Sequence, residues 1–162
     1  MISVLRRPVE SATPSGHTAV EIRRRKADRV VPLEVRTAAD YDTVFTPIAR
    51  DPVGALLMFN DLLTLANWNR MADFALASRT PTACEFRFQA HDGCLLSYGP
   101  SLDEFTKRVA HQVDRILKGA KPADIPFEQA TRFELVVNLK TARALGISIP
   151  SSVLLRADAV IE

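Results

Sequence analysis

Apolar residues along this chain change their spacing several times, and each change predicts an element. Residues 1 to 18 keep no sustained period and carry Pro8, Pro14 and Gly16, which predicts a poorly ordered arm. The charged stretch Ala19 to Ala27 reads as a short helix. Val30 to Val35 (VVPLEV) reads as a strand, and Pro32, having no N–H to give a ladder, puts it at a sheet edge. Beyond Thr37, a residue able to cap a helix, Tyr41, Val44, Phe45 and Ile48 keep the spacing of a helical face that Asp51-Pro52 stops. The unbroken apolar run Gly54 to Phe59 fits a parallel strand covered on both faces. Asp61 then caps a helix reaching Ser78, with Leu62, Leu65, Trp68, Ala72 and Ala75 or Leu76 inward, and a short strand Ala83 to Phe88 follows Pro81.

Strand and helix alternating in this way predict an α/β fold, a doubly wound and mainly parallel sheet with helices on both faces. Cys94 to Tyr98 is strand-like, and Gly99-Pro100 turns into the best-defined helix of the chain. Ser101 and Glu104 have the spacing of a capping box, Leu102, Phe105, Val109, Val113, Ile116 and Leu117 form an apolar stripe, and Gly119 ends the helix. A connector with Pro122 and Pro126 follows. Phe133 to Val137 is a strand, Leu139 to Leu145 a short helix closed by Gly146, and Ser151 or Ser152 caps a last helix running to Val160-Ile161.

The stretch from Ile116 to Pro150 (ILKGAKPADIPFEQATRFELVVNLKTARALGISIP) and the closing SSVLLRADAVIE, residues 151 to 162, resemble the C-terminal signature of the ABC-transporter substrate-binding proteins of the tryptophan-binding TrpX type. Leu96 to Ser101 (LSYGPS) extends the likeness upstream, and Leu33 to Arg36 and Gly54 to Phe59 match more loosely. The resemblance covers residues 30–162, one lobe's length, and leaves residues 1–29 as an unmatched arm. It implies a type I periplasmic-binding-protein fold, in which two α/β lobes hold a solute in the cleft between them. Only the C-terminal half of such a protein is matched, so the expectation is a truncated second lobe. Within it, Leu96 to Gly119 would belong to the first lobe, with the chain returning at Phe133, and the stripe on the helix would lack its usual sheet. Either that helix docks on the remaining lobe, or a second copy of the chain covers it.

Composition changes this picture little. Of 162 residues, 47% are apolar and 25% charged, enough for a real core in one domain. Twenty-one basic and 19 acidic residues leave a net charge of +2, and the basic run Arg23, Arg24, Arg25, Lys26, Arg29 has no interleaved aromatic, so it reads as a solvated helix face rather than a nucleic-acid site. Cys84 and Cys94 allow one bridge, which spacing alone does not establish. Met1 to Leu5 runs at once into Arg6-Arg7-Pro8, so no export signal is visible, and no apolar run reaches membrane-spanning length. The resemblance implies a periplasmic location; expressed as it stands, the chain would stay in the cytoplasm.

Ligands of open α/β sheets sit at the carboxyl ends of parallel strands, which selects two loops. Asn60 and Asp61 follow the central strand, where an amide or carboxylate meets an amino or hydroxyl group of a solute; Asp61 equally serves as a helix cap. Phe88, near Arg87 and Gln89, offers a ring to stack on a ligand, or else packs in the core. Ser97 and Tyr98 match the family's turn, with half-buried packing as the other reading of Tyr98. Enzyme readings are weaker. His17, His91 and His111 form no metal-binding spacing, His91-Asp92 beside Cys94 lacks an oxyanion pattern, and neither GxxxxGK[ST] nor GxGxxG is present. A receiver-like domain would need an acidic cluster at the strand ends, where only Asp61 stands. The expected function is solute binding for an ABC permease, the solute a small organic molecule such as an amino acid, without catalysis and with no cofactor implied. The competing expectation is a transport-inactive remnant that associates with itself as a homodimer.

Overall fold

The computed structural model of the protein describes residues 2–6, 29–51 and 53–162. They form two compact units, one up to Thr82 and the other from Ala83 onward.

In the first unit β1 (Ile2–Arg6) lies between β2 (Arg29–Leu33) and β3 (Ala55–Met58), antiparallel to both, with Ile2 opposite Leu33 on one side and Met58 on the other. Residues 2–6 are thus a strand where an arm was expected; residues 7–28, with the expected short helix, lie outside the described residues. β2 pairs through β1 alone at the end of the strand order, the edge position that Pro32 requires. On its β1 side β3 pairs antiparallel, not parallel as expected; its Leu56 and Met58 are buried, and Phe59 beyond it is exposed.

Helix α1 (Asp40–Arg50) buries the four residues its periodicity selects, Tyr41, Val44, Phe45 and Ile48, each worth roughly 1.5–3 kcal/mol against exposure. Thr37 does not cap it. Instead Asp40 reaches back, its carboxylate accepting from the backbone N–H of Arg36 at 2.9 Å and of Thr37 at 2.8 Å. The long helix expected from Asp61 to Ser78 is two, α2 (Leu62–Ala66) and α3 (Trp68–Ala77), broken at Asn67, whose side chain donates to the Leu63 carbonyl at 2.8 Å. The break turns the apolar phase: Leu62 is 87% exposed, and Leu65 and Leu76 are also exposed, whereas Trp68, Met71 and Ala75 are buried. Phe74 of α3 stacks on Phe45 of α1 with centroids 3.9 Å apart.

In the second unit β4 (Thr82–Cys84) pairs parallel with β5 (Leu96–Pro100), β5 antiparallel with β6 (Phe133–Asn138), and β6 parallel with β7 (Ala159–Ile161). β5 and β6 therefore share one ladder, Ser97 opposite Val136, and the expectation that Leu96 to Gly119 stands apart from the strand at Phe133 does not hold here. β4 ends at Cys84, and what was expected as its continuation is a short helix, α4 (Arg87–His91). Gly99-Pro100 is part of β5 rather than a turn. The last helix, α7 (Ser151–Leu154), is a single turn, and Ala159–Ile161 is a strand because its backbone completes the ladder with Val136 to Asn138.

The best-defined helix is α5 (Leu102–Leu117), and Ser101 does start it, but without the side-chain half of a capping box; its N–H instead donates to the Arg132 carbonyl at 3.1 Å. Gly119 and Gly146 end α5 and α6 (Leu139–Leu145) with φ of 98° and 70°, left-handed conformations natural to glycine. No residue of α5 is buried.

Candidate functional site

Asn60 and Asp61 lie in the first unit, just past the end of β3. Asp61 caps α2, its carboxylate accepting from the Thr64 N–H at 2.7 Å, and that bond holds its pKa below the usual 3.8. An ionised carboxylate with one oxygen so engaged stays exposed beside the chain end of the strand. The cap reading of Asp61 is therefore satisfied.

Phe88, Ser97 and Tyr98 lie in the second unit. Phe88 stands on α4, half-exposed, and stacks with Phe86 at a centroid distance of 6.0 Å and an interplanar angle of 21°. Neighbours along a strand point to opposite faces, and so Ser97 and Tyr98 part company. Ser97 is buried, its Oγ without a hydrogen-bond partner among the described residues, while Tyr98 is 61% exposed and stacks on Phe133 of the adjacent strand at 5.8 Å. Of the two, only Tyr98 presents its side chain to solvent.

The segment carrying Phe88 is held down from four directions. Cys84 and Cys94 are joined by a disulfide across its base. Gln89 is fully buried and its Oε1 accepts from the Phe86 N–H at 3.0 Å. The Asn138 side chain donates to the Ala90 carbonyl at 2.7 Å and accepts from Thr141 N–H, and the Thr141 hydroxyl donates to the Gly93 carbonyl at 3.0 Å. The outward residues of α4, Arg87 and Phe88, are thus a cation and a ring on a rigid base. Such a pairing can stack a planar solute and meet a carboxylate. Gly99 adds a further constraint, since its α-carbon stands against the Glu85 backbone so closely that a Cβ there would come 2.1 Å from the Glu85 carbonyl oxygen.

Asn138 was not singled out from the sequence, Gln89 was named only as a neighbour of Phe88, and Phe133 only as the start of a strand. Asn138, immediately before a helical LKT run, carries an N-cap signature that was there to read; the burial of Gln89 depends on α4, which no periodicity in five residues can announce. Among the described residues no cluster of His, Cys, Asp or Glu could hold a metal ion, and no helix is long and apolar enough to cross a membrane.

Solved structures of similar fold include a conserved domain protein from Vibrio cholerae (TM-score 0.69, 26% identity, 76% of this chain and 42% of that one). Another is the ABC domain from Streptococcus pneumonia in complex with L-Trp (TM-score 0.71, 27% identity, 78% and 43%). A ligand-free, open substrate-binding protein with adhesive properties from Clostridium difficile shares the fold more distantly (TM-score 0.52, 19% identity, 78% and 42%). The match thus spans 42–43% of the length of these structures. No curated protein matches it significantly. The model of the ABC transporter substrate binding protein family matches residues 2–161, nearly the whole chain. With an α/β fold of the periplasmic-binding-protein kind and this match, the chain belongs to the ABC transporter substrate-binding protein family.

Proposed function

We propose that the chain is a non-catalytic solute-binding lobe serving an ABC-type uptake system, and that it takes a small organic solute such as an amino acid and delivers it to a membrane permease. The observation that carries the reading is the family match across residues 2–161. It is supported by the rigid α4 base, which offers Phe88 and Arg87, and by the exposed ring of Tyr98. The similar domain bound to L-Trp makes an aromatic amino acid the first solute to try. In this reading Asn60 and Asp61 offer polar groups on the first unit, and within the second Ser97 acts from beneath the surface, shaping the strand that carries Tyr98. The disulfide favours an extracytoplasmic, oxidising location.

The test is a thermal-shift and calorimetric screen against amino acids and aromatic acids. A saturable rise in melting temperature supports the reading, and Phe88→Ala and Tyr98→Ala should each weaken binding about tenfold or more with little change in ligand-free stability. No response to any solute would sink it. A second reading, a structural domain that associates with itself, is favoured by one observation: the apolar stripe of α5 is exposed along its whole length.

A further inference from the structure

We propose that the Cys84–Cys94 bond is a redox switch of the surface that carries Arg87 and Phe88: closed, it holds α4 in its presenting position, and opened, it releases α4 while the sheet beneath stays folded. The inference rests on the reading of α4 as a solute-facing segment and adds the condition under which that segment is set.

The two cysteines stand 10 positions apart, Cys84 at the end of β4 and Cys94 just ahead of β5, and the regular structure in the loop they close is α4. A helix of five residues has too few internal hydrogen bonds to persist by itself, so α4 keeps its shape through its fastenings. Two of these, from the Asn138 side chain to the Ala90 carbonyl and from the Thr141 hydroxyl to the Gly93 carbonyl, grip its C-terminal end. The bond from the Phe86 N–H to the Gln89 side chain is internal to the loop and travels with it. Arg87 and Phe88 stand at the other end, where the chain leaves β4 at Cys84. Opening the disulfide therefore loosens the end that carries the cation and the ring.

The open state is provided for as well. Cys94 Sγ lies 3.2 Å from the Leu96 carbonyl oxygen; a disulfide sulfur has no hydrogen to give it, whereas a thiol donates there. Cys84 is the register partner of Ser97 on β5, on strands about 4.8 Å apart, and both side chains are buried. The Ser97 hydroxyl has no hydrogen-bond partner among the described residues. A buried hydroxyl left idle costs stability, and a Cys84 thiol supplies the missing partner. Each sulfur thus has an acceptor ready that only the dithiol uses.

Reduction by a dithiol needs no further reactant. One thiolate of the reductant attacks a protein sulfur, the other protein sulfur leaves and takes up a proton, and the second reductant thiol displaces the first protein sulfur. The products are a cyclic disulfide and two protein thiols. Cys84 is 6% exposed and Cys94 1%, so exchange waits for α4 to lift. The switch is therefore set by the compartment, and the surface is assembled where the surroundings are oxidising.

Hydrogen exchange of the whole chain, followed by mass spectrometry without any solute, tests the switch. On reduction with dithiothreitol, amides of residues 85–93, the interior of the loop, should exchange about 10–100-fold faster while the circular dichroism persists. If the folded chain resists the reagent, Cys84→Ser combined with Cys94→Ser stands in for the reduced state. Ser97→Ala, titrated in a glutathione redox buffer, should shift the midpoint toward the disulfide by about two- to fivefold, because the Cys84 thiol loses its acceptor. With L-Trp as probe, the reduced chain should bind at least about tenfold more weakly than the oxidised one. Exchange within about twofold of the oxidised chain, a reduced chain that unfolds outright, an unmoved midpoint in Ser97→Ala, or equal affinity for L-Trp in both states would overturn the proposal. L-Trp bound in neither state defeats the solute reading instead, since the exchange measurement decides the switch without it.

Discussion

Gly99 is where one added methyl group should tell most. A Cβ at this position would lie 2.1 Å from the Glu85 carbonyl oxygen, 2.8 Å from its side-chain Cγ and 2.9 Å from its carbonyl carbon. The first and last of these are backbone atoms, and neither can swing aside. To reach ordinary contact the chain at Glu85 must retreat from β5 by about 1 Å, and Glu85 lies between β4 and α4, next to Cys84, which is tied to Cys94. Forced overpacking of this kind costs roughly 1–3 kcal/mol and sometimes more. The gain from a stiffer unfolded chain, about 0.4–1 kcal/mol, offsets only part of it. Gly99→Ala should therefore destabilise by about 1–2 kcal/mol in urea titration, with a melting temperature lower by roughly 2–8 °C. Gly119→Ala is the matched control, because a Cβ there meets nothing within 4 Å and only its φ of 98° opposes alanine; about 1 kcal/mol is expected. If Gly99→Ala falls within 0.5 kcal/mol of wild type in the same assay, the close approach is wrong and so is the fixed spacing of α4 from Tyr98.

Replacing Cys84 and Cys94 by Ser, or reducing the bond, should lower stability by about 2.5–3 kcal/mol, the loop-closure value for the short loop between them, read as a drop in urea midpoint with and without reductant. Asn138→Asp should destabilise although it keeps the cap, since a carboxylate cannot donate to the Ala90 carbonyl; a loss of about 2–3 kcal/mol is expected in chemical denaturation. Asp61 has its folded pKa held below the usual 3.8, so its stabilising effect is complete above about pH 5 and fades as pH falls through the lowered value. Asp61→Asn, which can still cap, should flatten that part of the acid limb, and Asp61→Ala should cost about 1 kcal/mol at neutral pH, both read from unfolding curves between pH 2 and 7.

What the sequence made legible follows the length of each pattern. α1 and α5 each hold one uninterrupted amphipathic phase over three turns or more, and the residues on their apolar faces could be named in advance. Helical residues 62–77 defeat the same reasoning because Asn67 breaks the phase by a local side-chain bond that no hydrophobic spacing encodes. Short elements fail for a related reason. α4 and β7 have five and three residues, too few for a period to emerge, and what sets them is tertiary: Gln89, Asn138 and the disulfide hold the one, the edge of β6 the other. A run such as Gly54 to Phe59 shows that it is a strand and not which way its neighbour runs, since antiparallel β1 lies more than 50 positions away in sequence.

The candidate site divides along the same line. Each residue chosen from the sequence was placed by its neighbours along the chain, and the contacts that decide its role come from elsewhere. Ser97 and Tyr98 look equivalent in the LSYGPS motif, yet strand alternation buries the hydroxyl of one and exposes the ring of the other, which then finds Phe133 across the ladder. Phe88 was picked as the end of a strand and owes its exposure to being on a helix. α5 carries the converse lesson. Its period identified an apolar face correctly but could not say what covers that face, because covering is a property of a second surface. Among the described residues that surface is absent, and charges of the helix pair along its own length, Glu104 with Lys107 and Asp114 with Lys118, so they name no partner.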